Sequence, residues 1–110
     1  MPNPSLPALT HLQFLVLGVL RTEPQPGRTL RNALSAYGIR RTGPAFYQLM
    51  ARMEKDRLVD GWYEQVTVGD QAVTERHYRI TPDGTRRWKE ARAFYEHVTR
   101  AATKLRWSDA

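Results

Sequence analysis

The sequence predicts a mainly α-helical domain with one small β-hairpin, followed by a long C-terminal helix. Three observations predict this class. Segments with helical spacing of apolar residues lie between positions 9 and 59, a stretch rich in aromatic and β-branched residues lies between 62 and 80, and a heptad pattern fills the end of the chain. At 110 residues with 41% hydrophobic content, the chain forms one domain with a modest core.

The charge distribution favours a polyanionic partner. The chain has 17 Lys and Arg against 11 Asp and Glu, a formal charge of +6. No acidic residue occurs between Pro24 and Met53, although arginines are frequent there. We therefore expect nucleic acid as the partner. A membrane surface is the weaker alternative, because no segment reaches the ~20 apolar residues of a membrane span.

The composition argues against an enzyme, a metalloprotein and an exported disulfide protein. There is no cysteine, and His11, His77 and His97 lack the spacing of metal ligands. No Gly-rich phosphate loop or acid–base pair is apparent. We expect no metal, no cofactor and a cytoplasmic location. Residues 1–8 are rich in proline without a basic region, which predicts an extended lead-in and no signal peptide.

The first helix is predicted from Leu9 to Leu20. This run is too short to span a bilayer and too apolar for a surface helix, so it is expected to be the central core helix, with contacts on several sides that include another subunit. The residues between Arg21 and Gly27, with two prolines and a glycine, end it. Its predicted core stripe consists of Leu9, Leu12, Val16 and Val19.

The second and third helices form a pair around a short connection. The second is predicted from about Arg28 to Tyr37, with Gly38 as its C-terminal stop. The third is predicted from Thr42 to Asp56, with Thr42 as its cap and Pro44 in its first turn. Its inward stripe consists of Phe46, Leu49, Met50 and Met53. Its opposite side carries Gln48, Arg52 and Lys55.

A β-hairpin is predicted after the third helix. Its strands run over Trp62–Val68 and Val73–Ile80 and flank a turn at 69–71. Tyr78 and Ile80 alternate with His77 and Arg79, so one side packs on the helices and the other faces solvent or a ligand. Three helices followed by a two-stranded hairpin make a winged helix-turn-helix, which we assign to residues 9–81.

The final helix, residues 82–110, is predicted to mediate dimerisation. Thr81 caps it and Pro82 takes its first position. Its apolar residues follow alternating spacings of three and four, which requires a partner surface. Together with Leu12, these residues form the predicted dimer interface: Trp88, Ala91, Tyr95, Val98, Ala102 and Leu105.

These residues resemble the PadR type of winged-helix transcription factor. The similarity lies in the apolar Leu12–Leu20 segment, the Thr42–Val59 recognition segment, the Arg76–Gly84 end of the hairpin and the final helix. This chain departs from the family pattern at Gly43-Pro44, at Gln48 and at Pro26–Leu30. The resemblance implies a homodimer that binds a pseudo-palindromic promoter site and usually represses, with ligands near the dimer interface in some members.

Candidate DNA contacts follow from charge, exposure on the third helix and the resemblance. The arginines and the Tyr47 hydroxyl are expected to bind phosphate, and Gln48 or Arg52 to read base edges. Thr42, Ala45, Tyr47, Gln48 and Tyr78 match the family's motifs. Arg76 and His77 would contact the backbone or minor groove, although Asp70 at the hairpin tip opposes this. The full set is Arg28, Arg31, Arg40, Arg41, Thr42, Ala45, Tyr47, Gln48, Arg52, Arg76, His77 and Tyr78.

The resulting interpretation is a homodimeric, sequence-specific regulator of double-stranded DNA, acting as a repressor. One alternative is a winged helix used as a protein-interaction module, whose basic face binds an acidic partner. Another is a sensor that binds a small aromatic effector between Trp88, Tyr95 and Trp107. Plain interface packing is the favoured interpretation of those aromatic residues.

Overall fold

A computed structural model describes the backbone of residues 4–108 and the side chains of residues 4–101. The predicted class, mainly α with a small β-hairpin, is confirmed, with one additional short strand. The elements follow in the order α1 (His11–Leu20), β1 (Gln25–Pro26), α2 (Gly27–Ser35), α3 (Gly43–Lys55), β2 (Val59–Val68), β3 (Gln71–Ile80) and α4 (Pro82–Ser108).

Helix α1 begins two residues later than predicted because Thr10 caps it. The Thr10 hydroxyl accepts from the Gln13 amide, and the Gln13 side chain accepts from the Thr10 amide, both at 3.0 Å. This capping box places Gln13 among the buried residues. The predicted stripe is therefore rotated: Val16, Leu17 and Leu20 are the fully buried positions.

Helix α2 ends earlier than predicted, at Ser35. Gly38 lies beyond the end with φ of +81°, in the left-handed conformation that favours glycine, and the Ile39 amide donates to the Leu34 carbonyl at 3.1 Å. Tyr37, predicted to face inward, is exposed because the helix has already ended.

Helix α3 agrees with the prediction at both ends. Its inward stripe is confirmed, since Phe46, Met50 and Met53 are fully buried and Leu49 is half-buried. Beyond the helix, Arg57 takes a positive φ of 61°, and the Leu58 amide returns to the Met53 carbonyl at 2.9 Å. This turn leads directly from α3 into β2.

The hairpin is longer than predicted, and a third strand joins it. Strands β2 and β3 pair antiparallel from Val59 with Ile80 to Val68 with Gln71. The two-residue turn uses Gly69 at φ of +64°. Strand β1 pairs with β3, which places β3 in the centre of the sheet. No sequence pattern predicts β1, because Pro24 and Pro26 are typical of a linker. A proline is tolerated there because β1 is an edge strand.

The core lies beneath α3 and joins all the helices to the base of the hairpin. Tyr78 is its largest fully buried side chain, and its ring meets that of Phe46 edge-on at 6.5 Å. The buried apolar residues are Leu9, Val16, Leu17, Leu20, Leu30, Leu34, Phe46, Met50, Met53, Leu58, Val59, Tyr78, Trp88 and Ala91.

Helix α4 packs against the core at its start and then leaves it. Thr81 Oγ1 accepts from the Gly84 amide at 2.8 Å, as the predicted cap requires. A Cβ on Gly84 would overlap the Leu58 carbonyl oxygen, so the helix approaches β2 as closely as glycine permits. The molecule is elongated, with extents of 63 × 26 × 22 Å.

The start of the heptad stripe on α4 requires a correction. Trp88 and Ala91 were predicted at the dimer interface, but both are buried within their own chain. Trp88 stacks on Phe14 of α1, with ring centroids 5.7 Å apart. The spacing alone predicts a second subunit as the partner. It does not reveal that α1 of the same chain covers the first turns of the apolar stripe.

Among the other predicted interface residues, those whose side chains the structure describes are more accessible than Trp88 and Ala91. Leu12 and Tyr95 are half-buried and pack against the edge of the core, whereas Val98 is exposed. The side chains of Ala102, Leu105 and Trp107 lie outside the described residues. The accessible part of the stripe therefore begins near Tyr95.

Candidate nucleic-acid interface

A basic groove of about 310 Å³ lies between α2 and the start of α3. The fold brings together here five residues that the sequence analysis proposed as DNA contacts. Asn32 and Ser35 also line the groove and were not proposed, although their spacing of four and seven from Arg28 places them on the same helical face. The lining residues are Arg28, Arg31, Asn32, Ser35, Arg40, Arg41 and Tyr47.

Arg31 organises the connection between the two helices. Its Nε and Nη2 donate to the Arg41 carbonyl at 3.0 and 2.7 Å. Gly43 is the first residue of α3, and a Cβ atom added to it would lie 3.7 Å from Arg31 Nη1. The guanidinium therefore lies beside the start of the helix. Arg31 thus fixes the turn while it adds positive charge to the start of α3.

The first turn of α3 is electropositive. The Thr42 hydroxyl accepts from the Ala45 amide at 3.2 Å, and no acidic residue lies in this turn. The helix dipole adds to the charges of Arg40 and Arg41. Within the described part of the chain, neither of these arginines forms an ion pair with a carboxylate, and Arg31 forms none either. An anion at this end would meet unneutralised positive charge.

The outer face of α3 presents polar side chains to solvent. Tyr47, Gln48 and Arg52 are exposed, and Ala45 is half-buried. Gly27 is the first residue of α2, and a Cβ atom added to it would lie 3.0 Å from the Tyr47 hydroxyl. The Tyr47 ring therefore packs over the start of α2. Gln48 and Arg52, four residues apart, share the face that a major groove would meet.

On the hairpin side of α3 the proposed cations are paired with carboxylates. Arg76 Nη2 donates to Glu54 Oε1 at 2.5 Å, and Arg28 Nε lies 3.1 Å from Glu75 Oε1. Burial alone lowers the pKa of Arg76, but the hydrogen bond and negative charge of Glu54 leave this pKa above its ordinary value. Neither ion pair is predictable from the sequence, because the two residues of each pair lie far apart in the chain.

The structure removes His77 and Tyr78 from the exposed surface. His77 Nε2 lies 3.1 Å from Glu64 Oε2, and its ring is buried against Trp62. Tyr78 is 1% exposed, and this burial, followed by the charge of Glu54, raises its pKa to about 12. The prediction that these two residues contact DNA is wrong because β1 pairs with β3 at both positions and encloses the base of the hairpin.

Among the described residues, no group of three or more His, Asp or Glu side chains is arranged to hold a metal ion. No helix in the same part of the chain is long and apolar enough to cross a membrane.

Comparison with solved structures places this architecture among transcriptional regulators. A PadR family transcriptional regulator from Eggerthella lenta is 31% identical, with a TM-score of 0.63, over 86% of this chain and 80% of that chain. A PadR-like regulator from Bacillus cereus is 22% identical, with a TM-score of 0.70, over 86% and 89% of the two chains. No protein-family model and no curated protein matches the sequence.

A third structure contains nucleic acid. It is Bacillus subtilis PadR in complex with operator DNA, 13% identical with a TM-score of 0.59. The similarity covers 74% of this chain and 46% of that chain. At this identity the comparison concerns the fold alone.

Proposed function

The chain belongs to the PadR family of transcriptional regulators, and from this premise we propose that it binds double-stranded DNA as a homodimeric repressor. The family consists of regulators, so the chain is not an enzyme. One observation carries the DNA proposal: three arginines of the basic groove, Arg31, Arg40 and Arg41, converge on the start of α3 and have no carboxylate partner among the described residues. A cytoplasmic location accompanies this proposal.

The proposed binding mode places α3 in the major groove. An exposed helix fits that groove, and its N-terminal residues approach the base edges. Arg40 and Arg41 would bind phosphates beside the groove, while Gln48 and Arg52 face the bases. Arg31 supports this arrangement through its two hydrogen bonds to the Arg41 carbonyl. The operator complex of Bacillus subtilis PadR shows that this fold binds DNA in that protein.

The proposed dimer uses α4 beyond its contact with α1. The radius of gyration is 17.2 Å, whereas a compact chain of this length has one of ~13 Å. The excess reflects a helix that projects away from the core and exposes Val98. We assign residues 9–81 to DNA binding and 82–110 to dimerisation, with repression following from the family resemblance.

Selection of genomic fragments by the purified full chain tests this function. We expect enrichment of a pseudo-palindromic site with half-sites about 34–36 Å apart, one turn of DNA, or a multiple of it. Sedimentation should give twice the chain mass. A chain that ignores duplex DNA at low salt would contradict the proposal and favour the protein-interaction module, and a monomeric mass would contradict the dimer.

A further inference from the structure

A second cavity, of about 440 Å³, lies between α3 and the hairpin. This volume falls within the ~300–1,000 Å³ typical of small-molecule sites. Tyr47 lines both this cavity and the basic groove. The side chains that give the cavity its chemistry are Tyr47, Tyr63, Tyr78, Glu54, Glu75 and Arg76.

Glu75 lines this cavity and carries an unsatisfied hydrogen-bond acceptor. Its Oε1 is paired with Arg28, but its Oε2 is buried and accepts from no donor among the described residues. A buried carboxylate oxygen without a donor is costly, so a positively charged N–H group brought to it would be stabilised. Arg76 does not meet this need, because its guanidinium binds Glu54.

The walls of the cavity suit a flat, positively charged ring. The Arg76 guanidinium lies 4.7 Å from the centroid of the Tyr63 ring, so one cation already packs on this ring and a ligand would stack on its other face or displace the guanidinium. Access to the shielded Glu75 oxygen would require Tyr47 and Tyr63, which are both exposed, to turn outward. Tyr78 is neutral at physiological pH, as an ordinary tyrosine is, and burial raises its pKa further, to about 12.

We propose that this cavity binds a small aromatic cation with N–H donors, of the amidine or amine class, between Tyr47 and Tyr63 and against Glu75. An aromatic carboxylate of the same shape is disfavoured, since it would add a negative charge beside Glu54 and Glu75, whose ion pairs already engage Arg76 and Arg28. The site differs from the effector position suggested by sequence at Trp88 and Tyr95, where Phe14 of the same chain packs on both rings.

An occupant of this cavity also weakens DNA binding, a consequence that rests on the proposed function. Tyr47 is shared with the basic groove, and the Glu54–Arg76 pair joins α3 to the hairpin. A ligand that displaces Tyr47 and lies beside the Glu54–Arg76 pair therefore alters both elements. We expect saturating ligand to lower the affinity for operator DNA at least fivefold.

The test is an NMR titration of the full chain, without DNA, with benzamidine, benzamide and benzoate. These probes share a ring and differ in charge. We expect benzamidine to bind at least tenfold more tightly than benzamide, with shifts at Tyr47, Tyr63 and Thr74, and benzoate not to bind. Glu75→Gln should weaken benzamidine at least tenfold, whereas Glu90→Gln, the same change at an exposed α4 position, should have no effect.

Several outcomes would overturn the site: binding of none of the probes, equal binding of benzoate, or shifts centred on Tyr95. Ala51→Met, which adds volume at the cavity wall, provides a second variant in case Glu75→Gln does not fold, and unchanged benzamidine affinity in it would count against the proposal. Benzamidine that binds without changing DNA affinity overturns only the regulatory consequence. A chain that binds benzamidine but no DNA contradicts the proposed function and leaves the site intact.

Discussion

The two ends of α3 use the same residue type for different purposes. At its start, Arg40 and Arg41 extend into solvent without carboxylate partners in the described chain. On the hairpin side, Arg76 is held by Glu54 and its guanidinium lies over Tyr63. A phosphate can take the first two arginines without breaking an ion pair, whereas it would have to displace a carboxylate from the third. Position in the fold, and not residue type, separates binding cations from structural ones.

This difference in ion pairing has one cause in the sequence and a second in the fold. Between Pro24 and Met53 there is no acidic residue, so a carboxylate reaches the start of α3 only from a distant part of the chain. At the other end, Glu54 is local and the hairpin adds Glu75. The hairpin therefore neutralises one side of α3 and leaves the other side positive.

The largest expected effect is on DNA affinity when the unpaired arginines are removed. The double variant Arg40→Ala/Arg41→Ala should lose roughly 100-fold in affinity for operator and random duplexes alike, at about 1.5 kcal/mol for each charge-assisted contact. The slope of log affinity against log salt should fall by about two. Arg86→Ala/Arg92→Ala removes the same charge from pairs on α4 and serves as control. Equal losses in both variants would show that net charge, not position, determines binding.

The folded chain should lose stability at alkaline pH because Tyr78, which is buried at the hairpin side of α3, ionises there. Its pKa is about 12 in the folded chain against 10.0 for an ordinary tyrosine. The unfolded chain therefore loses this proton first, so the stabilisation is complete below pH 10 and is lost as the pH rises through 12. Unfolding by urea should show a loss on the order of 2 kcal/mol over that window. In Tyr78→Phe this part of the pH dependence should vanish, and an unchanged alkaline slope would contradict the assignment.

Breaking the structural pair should affect stability more than DNA binding. Arg76 and Glu54 are only 25% and 24% exposed, so Arg76→Ala should lower the free energy of unfolding by about 1.5 kcal/mol. The matched control is Arg79→Ala, because Arg79 and Asp60 are 62% and 55% exposed and their pair should contribute less than about 0.5 kcal/mol. Urea unfolding measures both. If Arg76→Ala reduced DNA affinity as strongly as loss of Arg41, the division between the two ends would be wrong.

The smallest expected effect concerns sequence preference. Gln48→Ala should reduce discrimination between operator and base-substituted duplexes by about 1 kcal/mol, roughly fivefold, without changing the salt dependence. Competition binding with single-base variants of the selected site measures this effect. A uniform loss on specific and random DNA would instead assign Gln48 to backbone contact.

Local patterns predicted the helices well because their causes are local. The Thr42 cap, the apolar stripe of α3 and the Gly38 stop each depend on residues within a few positions of one another. The basic groove was partly predictable for the same reason, since α2 and α3 are joined by a short connection that keeps their arginines together.

The fold class, the electropositive start of α3 and the apolar stripe of α4 follow from the amino-acid sequence alone. Three features arise only in the folded chain: β1 encloses His77 and Tyr78, Phe14 covers Trp88, and Arg76 has a carboxylate partner. Helical periodicity and capping arise from neighbours along the chain, so a single sequence records them. Burial and ion pairing depend on which distant segment arrives at a given surface, and no local spacing specifies that segment.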